Sequence, residues 1–444
     1  MTSNSAWLQR SLDSVWHPCT QMKQHPALPL VPIARGKGAW LEDFDGHRFL
    51  DGISSWWVNL FGHGNPRINA AITDQLSQLE HVMLAGFTHA PAVELAERLA
   101  AKTDGVLGHA FYASDGASAT EIALKMSFHA WQNAGRSEKR EFVCLSGSYH
   151  GETLGALSVT DIALFRDAYA PLIRNEHVHL APSPDARLAA PGESARDVAN
   201  QAADALEKLF QERDGKIAAI IIEPLVQCAT GMAMHDPHYL KRVRALCHQY
   251  EVHLICDEIA VGFGRTGSFF AHEQAGIRPD LLCLSKGITG GYLPLSVVLS
   301  SDAIYQAFWH DDTHRGFLHS HSYTGNPLAC RAALATLDIF AADDVLNANR
   351  KLSAHITERL RGIAQHPRIR HFRQRGMIWA ADVETTQPDF NRRYFAHALK
   401  RGLLLRPIGN TLYLMPPYIL SESDADWMAE QALGALNDTL SERT

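Results

Sequence analysis

An aspartate and a lysine each close a short apolar run in the stretch Val252 to Gly291, VHLICDEIAVGFGRTGSFFAHEQAGIRPDLLCLSKGITGG. The first run is rich in β-branched and aliphatic residues, the pattern of a strand buried on both faces, and it stops at Asp257-Glu258. The second, Leu281 to Ser285, stops at Lys286 and is followed by small residues from Gly287 to Gly291. Ligands of open α/β sheets bind beyond the carboxyl ends of the strands, so both side chains can face one crevice. A lysine amine and a buried carboxylate together suit pyridoxal 5'-phosphate chemistry. The amine holds the cofactor as a Schiff base, and the carboxylate keeps the pyridine nitrogen protonated so that the ring accepts electrons. Taken singly, a strand-end aspartate more often caps or pairs, and a lysine is more often solvated.

Other stretches must position this pair. Phe111 to Ser114 reads as a strand end, Asp115 to Ser118 as a small polar turn, and the residues to about Trp131 as a long helix. Unpaired N–H groups and the positive end of the helix then gather at Gly116, Ala117 and Ser118, an anion site suited to a phosphate. Glu141 to Leu145 predicts a strand followed by the loop Ser148 to Thr153, and Ile217 to Ile222 a buried strand ending at Glu223. Pro182 to Arg196 reads as a surface loop. Asp43-Phe44-Asp45-Gly46 is a hairpin signal, and Phe317 to Pro327 leads into a helix at about Leu328. Adjacent Trp56 and Trp57 cannot both face one core from a helix or strand, so one of them lines a cavity or an interface. Gly262 to Gly267 matches the dinucleotide fingerprint G-x-G-x-x-G, yet Ser268-Phe269-Phe270 do not resemble a first helical turn, which argues against a nicotinamide or flavin site.

Composition narrows the class. A chain of 444 residues is long enough for two domains, and 46% hydrophobic residues is ordinary for a globular protein. The net charge of -7, with no basic run, speaks against nucleic acid as a partner. Neither a signal-peptide core nor a membrane-spanning run is present, so a soluble, cytoplasmic protein is expected. The seven cysteines are scattered, and the 24 histidines show no ligand spacing, so no metal site is expected.

DEIAVGFGRTG followed by PDLLCLSKGITGGYLPLS resembles the cofactor-lysine region of the class III aminotransferases, and the resemblance extends over nearly the whole chain. Trp16 to Met22, Ser54-Ser55-Trp56-Trp57, Tyr149 to Thr153, and Arg406-Pro407 with Leu414 to Tyr418 are similar to the branch of that class serving biotin biosynthesis. The resemblance implies a fold-type I α/β architecture. A large domain, 61–343, would hold a mostly parallel seven-stranded sheet sandwiched by helices, and a smaller α+β domain would combine 1–60 with 344–444. It implies pyridoxal 5'-phosphate as cofactor, with Lys286 catalytic. Gly116, Ala117, Ser118, Tyr149, Asp257, Lys286, His321 and Ser322 would bind the cofactor, the last two reaching across a homodimer with shared active sites. Cys19, Trp56, Trp57, Tyr149, Glu152, Arg265, Lys286, Ser320 and Arg406 would bind substrate. The implied reaction transfers an amino group from S-adenosylmethionine to 8-amino-7-oxononanoate by a ping-pong route. Lysine as donor, or another ω-amino-acid transamination, are the alternatives. Three residues depart from the family pattern: Cys19 stands for a tyrosine, Ala117 for a serine and Glu152 for an aspartate.

Overall fold

The computed structural model describes residues 3–26, 28 and 30–442. The chain divides into two compact units, one formed by 67–347 and the other by 1–66 together with 348–444.

The unit 67–347 is built on a seven-stranded sheet. In chain order its strands are β1 (His109–Ala113), β2 (Glu141–Leu145), β3 (Val178–Ala181), β4 (Ile217–Ile222), β5 (His253–Asp257), β6 (Leu281–Leu284) and β7 (Ser296–Ser300). Their spatial order is β1-β7-β6-β5-β4-β2-β3. Pairings among β6, β5, β4, β2 and β3 are parallel, whereas β7 runs antiparallel to both of its neighbours. Every residue of β4, IAAIII, is buried, as a strand covered on both faces requires. Helix α1 (Gly116–Asn133) covers one face, setting Ala119, Ile122, Ala123, Met126 and Ala130 into one apolar cluster with Ala219, Ile221, Ile255, Leu281 and Val298. Each large aliphatic side chain buried in this way contributes about 1.5–3 kcal/mol.

Helix α2 (Ala195–Glu212) presents Val198, Ala202, Leu206 and Phe210 at helical spacing as its buried stripe. It starts inside the stretch expected to be loop. The side chain of Ser194 accepts from the Asp197 amide while the Asp197 carboxylate accepts from the Ser194 amide, a reciprocal cap that fixes the first turn. Helices α3 (His238–Gln249) and α4 (Pro327–Ala342) belong to the same unit, each with a buried apolar face.

In the other unit, strands Ile33–Lys37, Trp40–Asp43, Arg48–Asp51 and Leu403–Leu404 form a four-stranded sheet whose last pairing is parallel. The expected hairpin lies between Asp43 and Arg48, where the Asp43 carboxylate accepts the amides of Asp45 and His47. Strands Ile369–Arg375, Ile378–Val383 and Thr411–Leu414 form an antiparallel sheet. Helices Phe390–Lys400 and Glu422–Ser441 pack against each other, with the Tyr394 hydroxyl donating to the carbonyl of Ala432 at 3.0 Å. Among the described residues no helix is long and apolar enough to cross a membrane.

Candidate active site

Three neighbouring parallel strands end in ionisable side chains. Cys256 of β5 pairs with Ile222 of β4, which sets Glu223 level with Asp257; Asp257 in turn pairs with Cys283 of β6, just before Lys286. The Asp257 carboxylate is buried and fully engaged on the protein side. His150 Nδ1 lies 2.7 Å from Oδ2, and the amide of Ile259 donates to Oδ1 at 3.0 Å. His150 is itself held at both ends of its backbone, its amide donating to Thr160 Oγ1 and its carbonyl accepting from Thr120 Oγ1. Its Nε2 is buried with no partner among the described residues. Glu223 accepts the amides of Tyr149 at 3.0 Å and Cys228 at 3.1 Å, and burial pushes its carboxyl up to about 7. Burial pushes the Lys286 amine down, against the opposing pull of Asp257, Cys228 and Glu223. Lys286 also has a φ of 47°, a left-handed conformation that a non-glycine residue keeps only where its surroundings impose it.

Helix α1 starts beside these strand ends. Asp115 caps it, accepting the Ser118 amide at 2.9 Å and the Ser118 hydroxyl at 2.8 Å. The donors of Ser118 are therefore turned onto the cap, and the amides of Gly116 and Ala117 are the first-turn groups with no intrahelical acceptor. A Cβ on Gly116 would meet Ile259 at 3.0 Å, and one on Gly151 would meet the Ala117 side chain at 2.5 Å. A small residue at position 117 thus goes with the close passage of the Tyr149–Gly151 loop. Glu121, one turn into α1, holds the far side of that loop. Its Oε1 accepts the Thr153 hydroxyl at 2.6 Å and the amides of Gly155 at 2.8 Å and Ala156 at 3.3 Å. The Tyr149 hydroxyl donates to Glu152 Oε1 at 2.9 Å, so the two residues expected to meet substrate already touch each other.

The remaining expected residues of the 67–347 unit differ in access. Arg265 is almost fully buried, Ser320 and Ser322 are exposed, and His321 is half-buried. The G-x-G-x-x-G run opens no helix. Glu258 folds the segment back instead, accepting the amides of Ala271 and His272 and pairing with the His272 ring at 2.7 Å. In the unit 1–66 with 348–444, Trp57 is buried and donates to the Tyr413 hydroxyl at 3.2 Å, while Trp56 is 45% exposed. The Arg406 guanidinium lies over the Trp56 ring, 5.3 Å from its centroid. Cys19 is exposed, with a φ of 50°, and so is not the small packed residue that its cysteine neighbours in the apolar runs are.

Residues 20–436 match the family model of class-III aminotransferases. The chain belongs to that family. Over 438 residues it is 44% identical to the adenosylmethionine-8-amino-7-oxononanoate aminotransferase of Helicobacter pylori, covering 97% of each chain. A solved structure of the protein of that name from Methanocaldococcus jannaschii superposes with a TM-score of 0.90 at 31% identity, covering 98% of this chain and 99% of the other. An amine transaminase from an uncultivated Pseudomonas species, solved with pyridoxal phosphate bound, gives the same TM-score and identity over 96% of this chain and 98% of its own.

Pyridoxal 5'-phosphate is the cofactor of this aminotransferase, and the side chains present fit it. A buried amine, a carboxylate backed by a buried histidine and a helix N-terminus with two open amides offer the three groups that its aldehyde, ring nitrogen and phosphate need. Three supporting residues, His150, Glu223 and Glu121, were not among those that the sequence marked as site residues. His150 and Glu223 carry a signal all the same, His150 in the Tyr-His-Gly run and Glu223 at a strand end; Glu121 lies among ordinary helical residues and carries none. Glu121→Ala is expected to speed hydrogen exchange at the Gly155 and Ala156 amides by about tenfold or more, since each bond to a charged acceptor is worth about 1.5–3 kcal/mol. Glu121→Gln keeps the accepting oxygen and should preserve most of the protection; unchanged exchange in the alanine variant would contradict the role.

Proposed function

We propose that this aminotransferase converts 8-amino-7-oxononanoate to 7,8-diaminononanoate with S-adenosylmethionine as amino donor, in two half-reactions. The observation that carries the reading is Arg406. Its guanidinium is exposed, stacked on Trp56, and has no carboxylate partner among the described residues. The acceptor is a ketone on a long apolar chain ending in a carboxylate, and a planar cation beside an aromatic ring suits that end through a bidentate pair. The names carried by the Helicobacter and Methanocaldococcus relatives support the same reaction.

Bound pyridoxal phosphate supplies an electrophilic carbonyl and an electron sink. The chain's own groups do the rest. Lys286 Nζ would hold the cofactor between turnovers and, once displaced by the donor's amine, would take the proton from the donor's α-carbon and deliver it to the carbon of the cofactor that had carried the aldehyde; the acceptor half-reaction would run the same transfers in reverse. Burial favours the neutral amine that this base role needs. Asp257, fixed by His150 and the Ile259 amide, would hold the pyridine nitrogen in its protonated form. Gly116 and Ala117 amides would receive the phosphate at the positive end of α1, and Tyr149, its backbone tied to Glu223, would offer its ring to the cofactor. Glu152 would offer a carboxylate to the cationic donor, and Trp56 would line the acceptor's chain beside Arg406. Cys19, Arg265 and Ser320 take substrate-contacting positions by their resemblance alone. The working form is a cytoplasmic homodimer in which His321 and Ser322 reach the partner subunit's cofactor, and the exposure of Leu318 and Tyr323 on the same turn supports a covered surface there.

Mixing the cofactor-loaded enzyme with S-adenosylmethionine should convert its visible absorption to that of the amine form, and 8-amino-7-oxononanoate should restore it. Conversion by lysine and not by S-adenosylmethionine would reassign the donor. Conversion by neither, but by an ω-amino acid, would reject the pathway. Arg406→Ala should weaken acceptor binding by well over tenfold, the loss of a charge pair costing about 2–5 kcal/mol, while the donor half-reaction changes much less. Equal affinity for the acceptor in variant and parent would remove Arg406 from the site.

A further inference from the structure

Four consecutive residues other than glycine occupy the left-handed region, Ser54, Ser55, Trp56 and Trp57, with φ of 52°, 47°, 70° and 74°. L-residues visit this region singly as a rule, so a run of four is a strained segment that its surroundings must hold in place. The holding groups are all in the same unit. Asp51 is completely buried, and its Oδ1 accepts the Ser55 amide at 2.8 Å while its Oδ2 accepts the Ser55 hydroxyl at 2.7 Å. His63 Nε2 lies 3.1 Å from the same Oδ2. Ser54 Oγ donates to the Met415 carbonyl at 2.8 Å, and the Met415 amide donates to the Gly52 carbonyl at 2.9 Å.

Strand register turns this clamp toward Arg406. Asp51 and Leu404 are direct partners in parallel strands, so the turn beginning at Ser54 and the segment Leu405-Arg406 leave the same end of the sheet. Gly52 allows the two to run together, since a Cβ there would meet Leu405 at 2.7 Å. With its backbone left-handed, Trp56 lies under the Arg406 guanidinium instead of facing the core with Trp57. A right-handed turn would point Trp56 elsewhere and leave the guanidinium without its aromatic support.

We infer that Asp51, through the left-handed turn it anchors at Ser55, is a positioning residue for acceptor recognition: it sets Trp56 against Arg406 so that the guanidinium is held ready for the acceptor's carboxylate. The inference rests on the carboxylate-binding role proposed for Arg406 and adds the group that organises it. It predicts a signature that plain loss of stability would not give. In the holoenzyme, Asp51→Ala should raise KM for 8-amino-7-oxononanoate by about tenfold and Ser55→Ala by about threefold, with kcat within about twofold and the donor half-reaction unchanged. KM for the acceptor's methyl ester should hardly move. In an Arg406→Ala background neither substitution should raise KM further, because the group it acts through is gone.

If Arg406→Ala alone leaves KM for the acceptor unchanged, the proposed role of Arg406 fails, and this inference falls with it. If Arg406→Ala raises KM but Asp51→Ala and Ser55→Ala do not, or if their effects multiply with that of Arg406→Ala, or if the ester is affected equally, the positioning role alone is overturned. Should Asp51→Ala give no folded holoenzyme, Ser55→Ala, which leaves the carboxylate and its bond to the Ser55 amide in place, decides by the same comparisons.

Discussion

A carboxylate buried at the end of a parallel strand is the constraint on which the 67–347 unit depends. Asp257 is buried, so the protein must supply most of its partners, and it does so with the His150 ring and the Ile259 amide. Removing one partner of such a buried pair typically costs about 3–5 kcal/mol, which is why the supports of His150 extend outward to Thr120 on α1 and Thr160 beyond the loop. The same contacts fix the loop that carries Tyr149, and Glu223 and Glu121 fix it from the two other sides. One electrostatic requirement at a strand end thus organises a helix start, a loop and a neighbouring strand end.

Much of this was legible in the sequence because buried parallel strands are written plainly. The apolar runs ending at Glu223, Asp257 and Lys286 need no alternation to interpret, and β2 and β4 have the bounds that their runs predict. The start of α1 followed from a strand end, a small polar turn and a helical run. Harder to read was which donor serves which acceptor. The Ser118 amide was expected to join those of Gly116 and Ala117 toward a phosphate, yet Asp115 accepts both its amide and its hydroxyl as a cap, a contest between two local acceptors that spacing does not settle. The start of α2 was missed although Ser194 and Asp197 spell a capping box, because proline, alanine and glycine before it gave a stronger loop signal.

The second unit was less legible for a different reason. Its strands are short and its sheets draw on both ends of the chain, so the pairing of Leu404 with Asp51 has no local signature. The adjacent tryptophans were read as needing two environments, and they have them, but the device that separates them, a run of left-handed residues tied to a buried aspartate, has no glycine to announce it. Glycine-rich patterns tempt in the opposite direction: Gly262 to Gly267 match a dinucleotide fingerprint that Ser268-Phe269-Phe270 already argued against, and the structure uses the segment as a set of turns folded back by Glu258.

Catalysis at this site depends on Asp257, held by His150, keeping a proton on the cofactor's ring nitrogen. The direct measurement is the nitrogen-15 chemical shift of isotopically labelled pyridoxal phosphate bound to the enzyme near neutral pH. A protonated pyridine nitrogen in the parent, shifted toward the neutral form in His150→Ala and fully neutral in Asp257→Ala, is the expected result. An unprotonated nitrogen in the parent, or a protonated one that survives the loss of Asp257, would contradict it.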